Sequence, residues 1–391
     1  MILQSDYPPD IRLDKEFKTL INAGYHIFLL CNNNKNLPLK EKRNGTTIVR
    51  LPKFSFLPFA LQKFLRLPTF FSPLWFIYAY KMIIKYKTDA IHVHDLPPAP
   101  MGVMLSKFFN LPMVYDMHEN YPAAMEEWKK RGSFFQGIIK NPTFAKILNN
   151  FSLKNTTKII VVVDEQKQNL INQNICPDKI YIVENTVDID SFTEKPFNQN
   201  IINRYKDYFV ILYLGAFSTE RGLETSIEAM KKIRNQITNA KLLLVGDGKN
   251  TPDLKRRAKN DQLDSSVEFT GWVDFSNVPS YMQASKICII PQPSNPSNDT
   301  TCPHKLFQYM MVGKPVLCAD AVPLKRIVNE CQSGEAFISE NSDDFAQKVI
   351  DMSKKLDVYG KNGQKWVYEK YNWQKTSLEL LKLYSKLSDS K

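Results

Sequence analysis

The chain has 391 residues, of which 43% are hydrophobic and 24% charged. That balance excludes wholesale disorder, and at about 100–200 residues per domain the length suggests two domains. The longest uncharged stretch of the aromatic region, Leu67 to Tyr80, is 14 residues with two prolines, too short for a spanning helix.

No basic segment followed by an apolar run and a small-residue cleavage site opens the chain, so a cytoplasmic protein is expected. The six cysteines, at 31, 176, 288, 302, 318 and 331, contain no Cys-x-x-Cys pair. They are expected to be reduced thiols, mostly buried, rather than zinc ligands or disulfide partners. The net charge of +12 is concentrated: from Lys35 to Lys87 there are eleven Lys/Arg, one acid (Glu41) and eleven aromatics. The aromatics come in apolar clusters, FSFLPFAL and TFFSPLWFIYAY, unlike the single stacking rings of nucleic-acid platforms. The segment is therefore expected to meet an anionic membrane surface and no nucleic acid. The competing expectation is that the rings are core and the lysines solvated surface.

In chain order, apolar runs at His26–Cys31, Ala90–His94, Met113–Tyr115, Lys158–Val163 and Ile180–Val183 predict strands of a first sheet. A polar stretch without periodicity, Asp188–Asn203, follows. Runs at Val210–Leu214, Lys241–Val245, Val267–Phe269, Ile287–Pro291 and Pro315–Cys318 predict a second sheet. Nearly continuous apolar character is what strands buried on both faces require. Helical spacing in between, as in Leu223, Ile227, Met230, Ile233 and Ile237, predicts covering helices and parallel sheets. Trp366–Leu387 reads as one long helix. The chain is thus expected to be α/β, with two doubly wound domains at 1–190 and 191–365 and a terminal helix at 366–391. Ligands of such sheets bind beyond the carboxyl ends of the strands.

Three segments sit at those ends. Gly215-Ala216-Phe217-Ser218-Thr219-Glu220-Arg221-Gly222 follows a strand and opens a helix. It is either an anion site or a tight turn with an exposed arginine. Gly246-Asp247-Gly248 either admits a flat ligand close to the backbone or is a plain turn. In Pro303-His304-Lys305-Leu306-Phe307-Gln308, Lys305 and Gln308 share a helix face, suited to a phosphate and a hydroxyl or simply to water. Neither glycine loop is a Walker A or G-x-G-x-x-G sequence.

The ordered segments YLGAFSTERGLETSIEAM, LLLVGDG, VEFTGWV and PHKLFQYMMVGKPVLCAD resemble the carboxyl-terminal domain of family 4 glycosyltransferases. PPDIRLDKEFKTLINAGY, IHVHDLPPA and VYDMHENYP resemble the amino-terminal domain. The resemblance implies the GT-B fold, two Rossmann-like domains facing across a cleft. It also implies transfer of a sugar from a nucleotide-sugar donor, with retention and without a metal or other cofactor. Arg221 and Lys305 would neutralise the donor diphosphate, and His118 would lie near the donor sugar. Base and ribose would lie against Gly246, Asp247 and Gly248 and the turn of Gly271, Trp272 and Val273, with Gly215 and Gly222 framing the first loop. The loop carrying Asp10 and Arg12 would line the acceptor side, and the last helix would cross back to the first domain. With the basic segment, the resemblance implies a lipid-linked or glycan acceptor at the inner face of a membrane.

The chain departs from the family where two glutamates are usual, at Thr300 and Gln308, and at Ala216, where many members have arginine. Glutamine still hydrogen-bonds a hydroxyl, without charge. Two other readings compete. One is a non-catalytic GT-B scaffold. The other is a metal-dependent hydrolase using His92, His94 and Asp95 with Asp116, His118 and Glu119, since residues two apart share a strand face.

Overall fold

The computed structural model of the protein describes residues 1–53, 72–131, 141–193 and 197–388. Phe54, Phe56, Phe59, Phe64, Phe70 and Phe71 of the aromatic segment lie outside the described residues. The chain divides into two compact units, one of Met1–Glu184 with Thr376–Lys391 and one of Asn185–Lys375.

The first unit runs β1 (Ile2–Asp6), α1 (Ile11–Asn22), β2 (Phe28–Asn32), β3 (Lys40–Arg43), β4 (Thr46–Arg50), α2 (Pro73–Tyr86), β5 (Ile91–His94), α3 (Ala99–Phe109), β6 (Met113–Met117), α4 (Tyr121–Arg131), α5 (Pro142–Asn155), β7 (Lys158–Val161), α6 (Asp164–Asn172) and β8 (Ile180–Ile182). The second runs α7 (Ile189–Thr193), α8 (Gln199–Tyr205), β9 (Phe209–Leu214), α9 (Leu223–Gln236), β10 (Ala240–Val245), α10 (Thr251–Asn260), β11 (Val267–Gly271), α11 (Val278–Ala284), β12 (Ile287–Ile290), α12 (Lys305–Met311), β13 (Val316–Ala319), α13 (Val322–Cys331), β14 (Gly334–Phe337), α14 (Ser342–Met352) and α15 (Leu356–Glu369). The last helix, α16 (Trp373–Ser388), starts in the second unit, and its residues from Thr376 on belong to the first.

The first sheet has eight strands in the order β3-β4-β2-β1-β5-β6-β7-β8, parallel except for the antiparallel edge pair β3–β4. The second has six parallel strands in the order β11-β10-β9-β12-β13-β14. In each, strand order reverses once, between β1 and β5 and between β9 and β12. Chain entering the loops after those strands diverges to either side, and the gap left is where ligands of doubly wound sheets bind.

Strands and helices form for the reasons that the apolar pattern suggests. Ile211, Leu242, Leu244, Ile287, Ile289 and Leu317 are buried against Leu223, Ile227, Met230 and Ile233 of α9. Each such side chain contributes about 1.5–3 kcal/mol by leaving water. All ten runs singled out in the sequence are strands, with ends shifted by a residue or two. Four strands were not anticipated. The β3 segment, KEKR, is a charged edge strand, which blunts pairing with other chains. β1 holds only two apolar residues, β14 contains glycine and glutamate, and β4 is half threonine and arginine.

The single terminal helix expected over 366–387 is two helices. Asn372 separates them: its Nδ2 donates to the Val367 and Tyr368 carbonyls, while its Oδ1 accepts from the Lys375 amide. One side chain closes α15 and caps α16, a break that apolar spacing cannot reveal. Five of the six cysteines are buried and Cys176 is exposed, all as free thiols.

Candidate functional site

In the first unit the switch point gathers a buried charge cluster. β5 and β6 pair so that His94 stands opposite Asp116, and His92 and His94 share a face with ring centroids 4.4 Å apart. Asp10 accepts from the Arg12 and Leu13 amides and caps α1, which starts Arg12 into the sheet. Arg12 then donates to Asp116 at 3.0–3.2 Å and to the Val183 carbonyl at 3.0 Å, with Glu16 2.9 Å from Nε. Arg12 and Asp116 are 3% and 0% exposed. Arg12 is thus part of the interior, not a surface side chain awaiting an acceptor.

His118 follows β6 and is about a fifth exposed. Its Nε2 lies 3.2 Å from Asp116 Oδ2 and its Nδ1 3.4 Å from Asp95 Oδ2, while its amide donates to Asp95 Oδ1 at 3.0 Å. Burial alone would lower the imidazole, but the Asp95 and Asp116 charges outweigh it and lift His118 to about 10. Burial works against the Asp116 carboxylate, yet Arg12 and then His118 hold it well below its usual range. His94 goes well below its usual value through burial and the neighbouring His92. At neutral pH His118 is therefore an imidazolium, a donor rather than a base.

One ligand atom each of Glu16, His92, His94 and Asp116 lies within 4.8 Å of the others, so by distance these four could hold a metal. Asp95 and Glu119, the other carboxylates of the hydrolase reading, are not in this group. Arg12 sets a permanent cation against both carboxylates of the group, which opposes a divalent ion at the same oxygens. His92 Nδ1 is instead bonded to the Tyr384 hydroxyl at 2.7 Å, tying α16 to β5.

In the second unit a cavity of about 540 Å³ opens at the carboxyl ends of β9 and β10 and the start of α12. Arg221, Lys305, Gln308, Gly215, Gly246, Trp272 and Val273 all line it, together with Tyr213 and His304. No Asp or Glu is among its lining residues. Lys305 Nζ donates to the Leu214 carbonyl at 2.5 Å and sits 4.0 Å from the centre of the Tyr213 ring. Burial, and secondarily Arg221, push this ammonium well below its usual value. Two basic side chains share a cavity with no carboxylate among its lining residues. Trp272 is 68% exposed at this site, an open aromatic face.

Gly222, Asp247, Gly248, Gly271 and Thr300, singled out in the sequence, do not line the cavity. Gly222 has φ 65°, and a Cβ there would stand 2.2 Å from the Pro291 carbonyl oxygen. A Cβ on Gly248 would stand 2.2 Å from the Phe217 carbonyl oxygen. At both positions the missing side chain lets backbone pass close to backbone. Asp247 accepts from the Gly248 amide and the Thr251 hydroxyl, organising the start of α10. Thr300 turns its hydroxyl onto the Pro296 and Ser297 carbonyls of its own turn. Tyr213 and His304 were not anticipated. Tyr213 was legible only as a strand residue two positions before Gly215, and His304 only as the neighbour of Lys305.

A parallel-sheet unit with a basic cavity and a second parallel-sheet unit with a histidine-carboxylate cluster fit the GT-B class of glycosyltransferases. The model of the glycosyl transferases group 1 matches residues 194–373 and that of glycosyltransferase family 4 matches residues 17–191. The chain belongs to glycosyltransferase family 4 and is a glycosyltransferase. It is 23% identical over 380 residues to UDP-Gal:alpha-D-GlcNAc-diphosphoundecaprenol alpha-1,3-galactosyltransferase of Escherichia coli, across 95% of this chain and 91% of that one. Sucrose-phosphate synthase of Thermosynechococcus elongatus superposes with a TM-score of 0.80 at 19% identity, over 99% of this chain and 95% of that one. Anabaena HepE in complex with UDP and glucose gives 0.75 at 15% identity, over 98% of each chain.

Replacing Arg12 by methionine strands Asp116 in the interior and is expected to cost about 3–5 kcal/mol. Chemical denaturation followed by the first unit's tryptophan fluorescence checks this; a loss below 1 kcal/mol, the value of a surface pair, contradicts it. The His118 pKa is raised on folding from 6.5 to about 10. Its stabilising contribution is therefore complete below pH 6.5 and is lost as pH rises toward 10. The drop in melting temperature between pH 6.5 and about 10 should be smaller in His118→Gln than in the parent protein.

Proposed function

We propose that the protein moves a sugar, with retention of configuration and without a metal, from a nucleoside-diphosphate sugar to a lipid-linked or glycan acceptor in cell-surface polysaccharide or glycolipid synthesis. The observation that carries this reading is the second unit's cavity, where Arg221 and partly buried Lys305 meet no carboxylate among the lining residues. A diphosphate supplies the missing negative charge, and its charge grows as the bond from the anomeric carbon to phosphate oxygen breaks. Preorganised cations stabilise that growing charge more than the ground state.

The remaining roles follow from the same chemistry. Trp272 offers a face and the Val273 turn an edge to the base, and Gln308, three residues along the helix from Lys305, bonds the ribose. The departing phosphate takes the acceptor hydroxyl's proton as the new glycosidic bond forms, so no protein base is needed. His118, held as an imidazolium by Asp95 and Asp116, serves as a donor near the sugar. Asp10 starts α1 on the acceptor side and Arg12 fixes Asp116 behind His118.

The acceptor assignment is supported by the E. coli relative, whose name specifies a diphosphoundecaprenol-linked substrate. Among the described residues no helix is long and apolar enough to cross a membrane. We place the protein in the cytoplasm, peripheral at the inner face of the membrane, with the basic segment Lys35–Lys87 contributing to contact.

Hydrolysis of UDP-sugars in the absence of acceptor and of metal tests the reading. Arg221→Ala should reduce it at least about 100-fold, the scale of removing one preorganised charge stabiliser. A turnover equal to the parent's, or none in the parent with any common nucleotide sugar, would favour the scaffold reading. Gln308→Glu restores a charged acceptor and should tighten UDP about fivefold, the difference of about 1 kcal/mol between neutral and charge-assisted bonds. Isothermal titration reads that change, and unaltered or weaker binding would remove Gln308 from the ribose.

A further inference from the structure

We propose that the outer surface of α2, α3 and α5 is the part of this protein that docks on an anionic bilayer. The connections β4 to β5, β5 to β6 and β6 to β7 all step the same way along the sheet. Right-handed crossovers therefore put these three helices on one face of it.

Their sequences carry five lysines, at 81, 85, 107, 146 and 154, and no Asp or Glu. All five lysines are exposed, and none is in an ion pair among the described residues. A merely solvated face mixes both signs of charge. Between the lysines stand large apolar side chains in water: Ile77 (46% exposed), Ile84 (54%), Met104 (48%), Phe108 (69%), Ile147 (60%) and Phe151 (39%). Helical spacing sets Ile77, Lys81 and Ile84 on one face of α2, Met104 and Phe108 on one face of α3, and Ile147, Phe151 and Lys154 on one face of α5.

The patch is continuous. The Tyr80 and Phe108 rings are 5.9 Å apart, joining α2 to α3. Lys107 Nζ lies 5.9 Å from the Phe151 ring and donates to Asn155 Oδ1, joining α3 to α5. Monomers rarely expose a contiguous apolar patch of this kind without a use for it.

The charge decides the occupant. The three helices carry five cations and no acid, against the single Glu126 that lines a groove with Lys146 and Lys154, so the excess positive charge repels a second copy and a symmetric dimer is disfavoured. Four of the six apolar side chains are aliphatic and give a nucleic acid nothing to stack on, and the Phe151 ring is already covered by Lys107. Anionic headgroups neutralise lysines at about 1 kcal/mol each, roughly fivefold in affinity, while apolar side chains enter the layer beneath.

This face is not the one that composition singles out. Within Lys35–Lys87, Trp75 is 4% and Arg50 is 1% exposed, and Phe76, Tyr78, Tyr80 and Tyr86 pack against the core. Arg50 is spent on the Tyr7 and Pro38 carbonyls and on Glu41. Four of the six apolar side chains and three of the five lysines lie beyond Lys87.

The inference gives the lipid-linked-acceptor reading its means of reaching the membrane, but its test needs neither donor nor acceptor. The full chain is sedimented with vesicles of phosphatidylcholine alone or with about one-third phosphatidylglycerol, at low and high salt. The parent should bind the anionic vesicles at least about tenfold better, and less so at high salt. The triple change Lys107→Gln, Lys146→Gln, Lys154→Gln should lower that affinity by about 100-fold, from about fivefold per lysine. Phe108→Ser with Ile147→Ser, at exposed positions that folding does not require, should also weaken it. Val358→Ser, at an exposed position of the second unit, should not.

Equal binding to both vesicles, or variants that bind as the parent does, would overturn the proposal. So would a concentration-dependent dimer, seen by sedimentation, that the Phe108 and Ile147 changes dissolve. Vesicle binding that persists while UDP-sugar turnover is absent would defeat the transferase reading and leave this face intact. Intact turnover without vesicle binding would do the reverse.

Discussion

The constraint on which the structure depends is that the strands of each sheet, the β3 edge apart, run in the same direction. Parallel pairing forces every connection to cross a face as a helix, and it collects all the strand-to-helix loops at one edge. The order of each sheet reverses once, so two loops part at a single place. In the first unit that place receives Arg12, Asp116 and His118; in the second it receives Gly215, Arg221 and Lys305. Arg12 is far in sequence from Asp116 and His118, as Lys305 is from Gly215 and Arg221, and the common strand direction brings them together.

The two clusters use charge in opposite ways. In the first unit Asp116 lies within bonding distance of Arg12 and His118, and His118 beside Asp95, so Asp116 stays ionised and His118 stays protonated despite burial. Such a cluster is rigid and presents a fixed positive donor. In the second unit Lys305 rests on a carbonyl and an aromatic ring, both weak substitutes for an anion. The ammonium loses hydration without gaining a countercharge, and an arriving diphosphate reverses that deficit. The first site holds its own countercharges, although Glu16 Oε1 and Oε2 and Nε2 of His92 and His94 have no hydrogen-bond partner among the described residues, and the second has no carboxylate among its lining residues.

Much of this was legible in the sequence because strands buried on both faces must be apolar throughout, and ten of them read as uninterrupted runs. Strands at the edges escaped notice since water or charge can cover one side, as in KEKR of β3. Arg221, Lys305, Gln308, Trp272 and the glycines 215 and 246 came together as their order along the chain suggested. Gly222, Gly248, Asp247 and Thr300 did not, for one reason: a sequence does not say whether a small or polar residue serves a ligand or its own backbone. Arg12 shows the same limit from the other side, since an arginine beside a loop reads as surface until the carboxylate 104 positions later, Asp116, is placed against it. The exposed apolar side chains of α3 and α5 were also hidden, because helical spacing alone assigns such residues to the core.

The most direct test of the account is a thermal melt in EDTA with UDP, GDP, ADP and dTDP in parallel, each at millimolar concentration, beside the corresponding monophosphates. A ligand present at about 100 times its dissociation constant adds roughly 2.7 kcal/mol. With two units the ranking of the shifts carries more than their size. The account predicts that one diphosphate stabilises the protein clearly, that its monophosphate does so much less, and that Arg221→Ala removes the difference. Equal melts with every nucleotide, or a shift that survives the loss of Arg221, would contradict it.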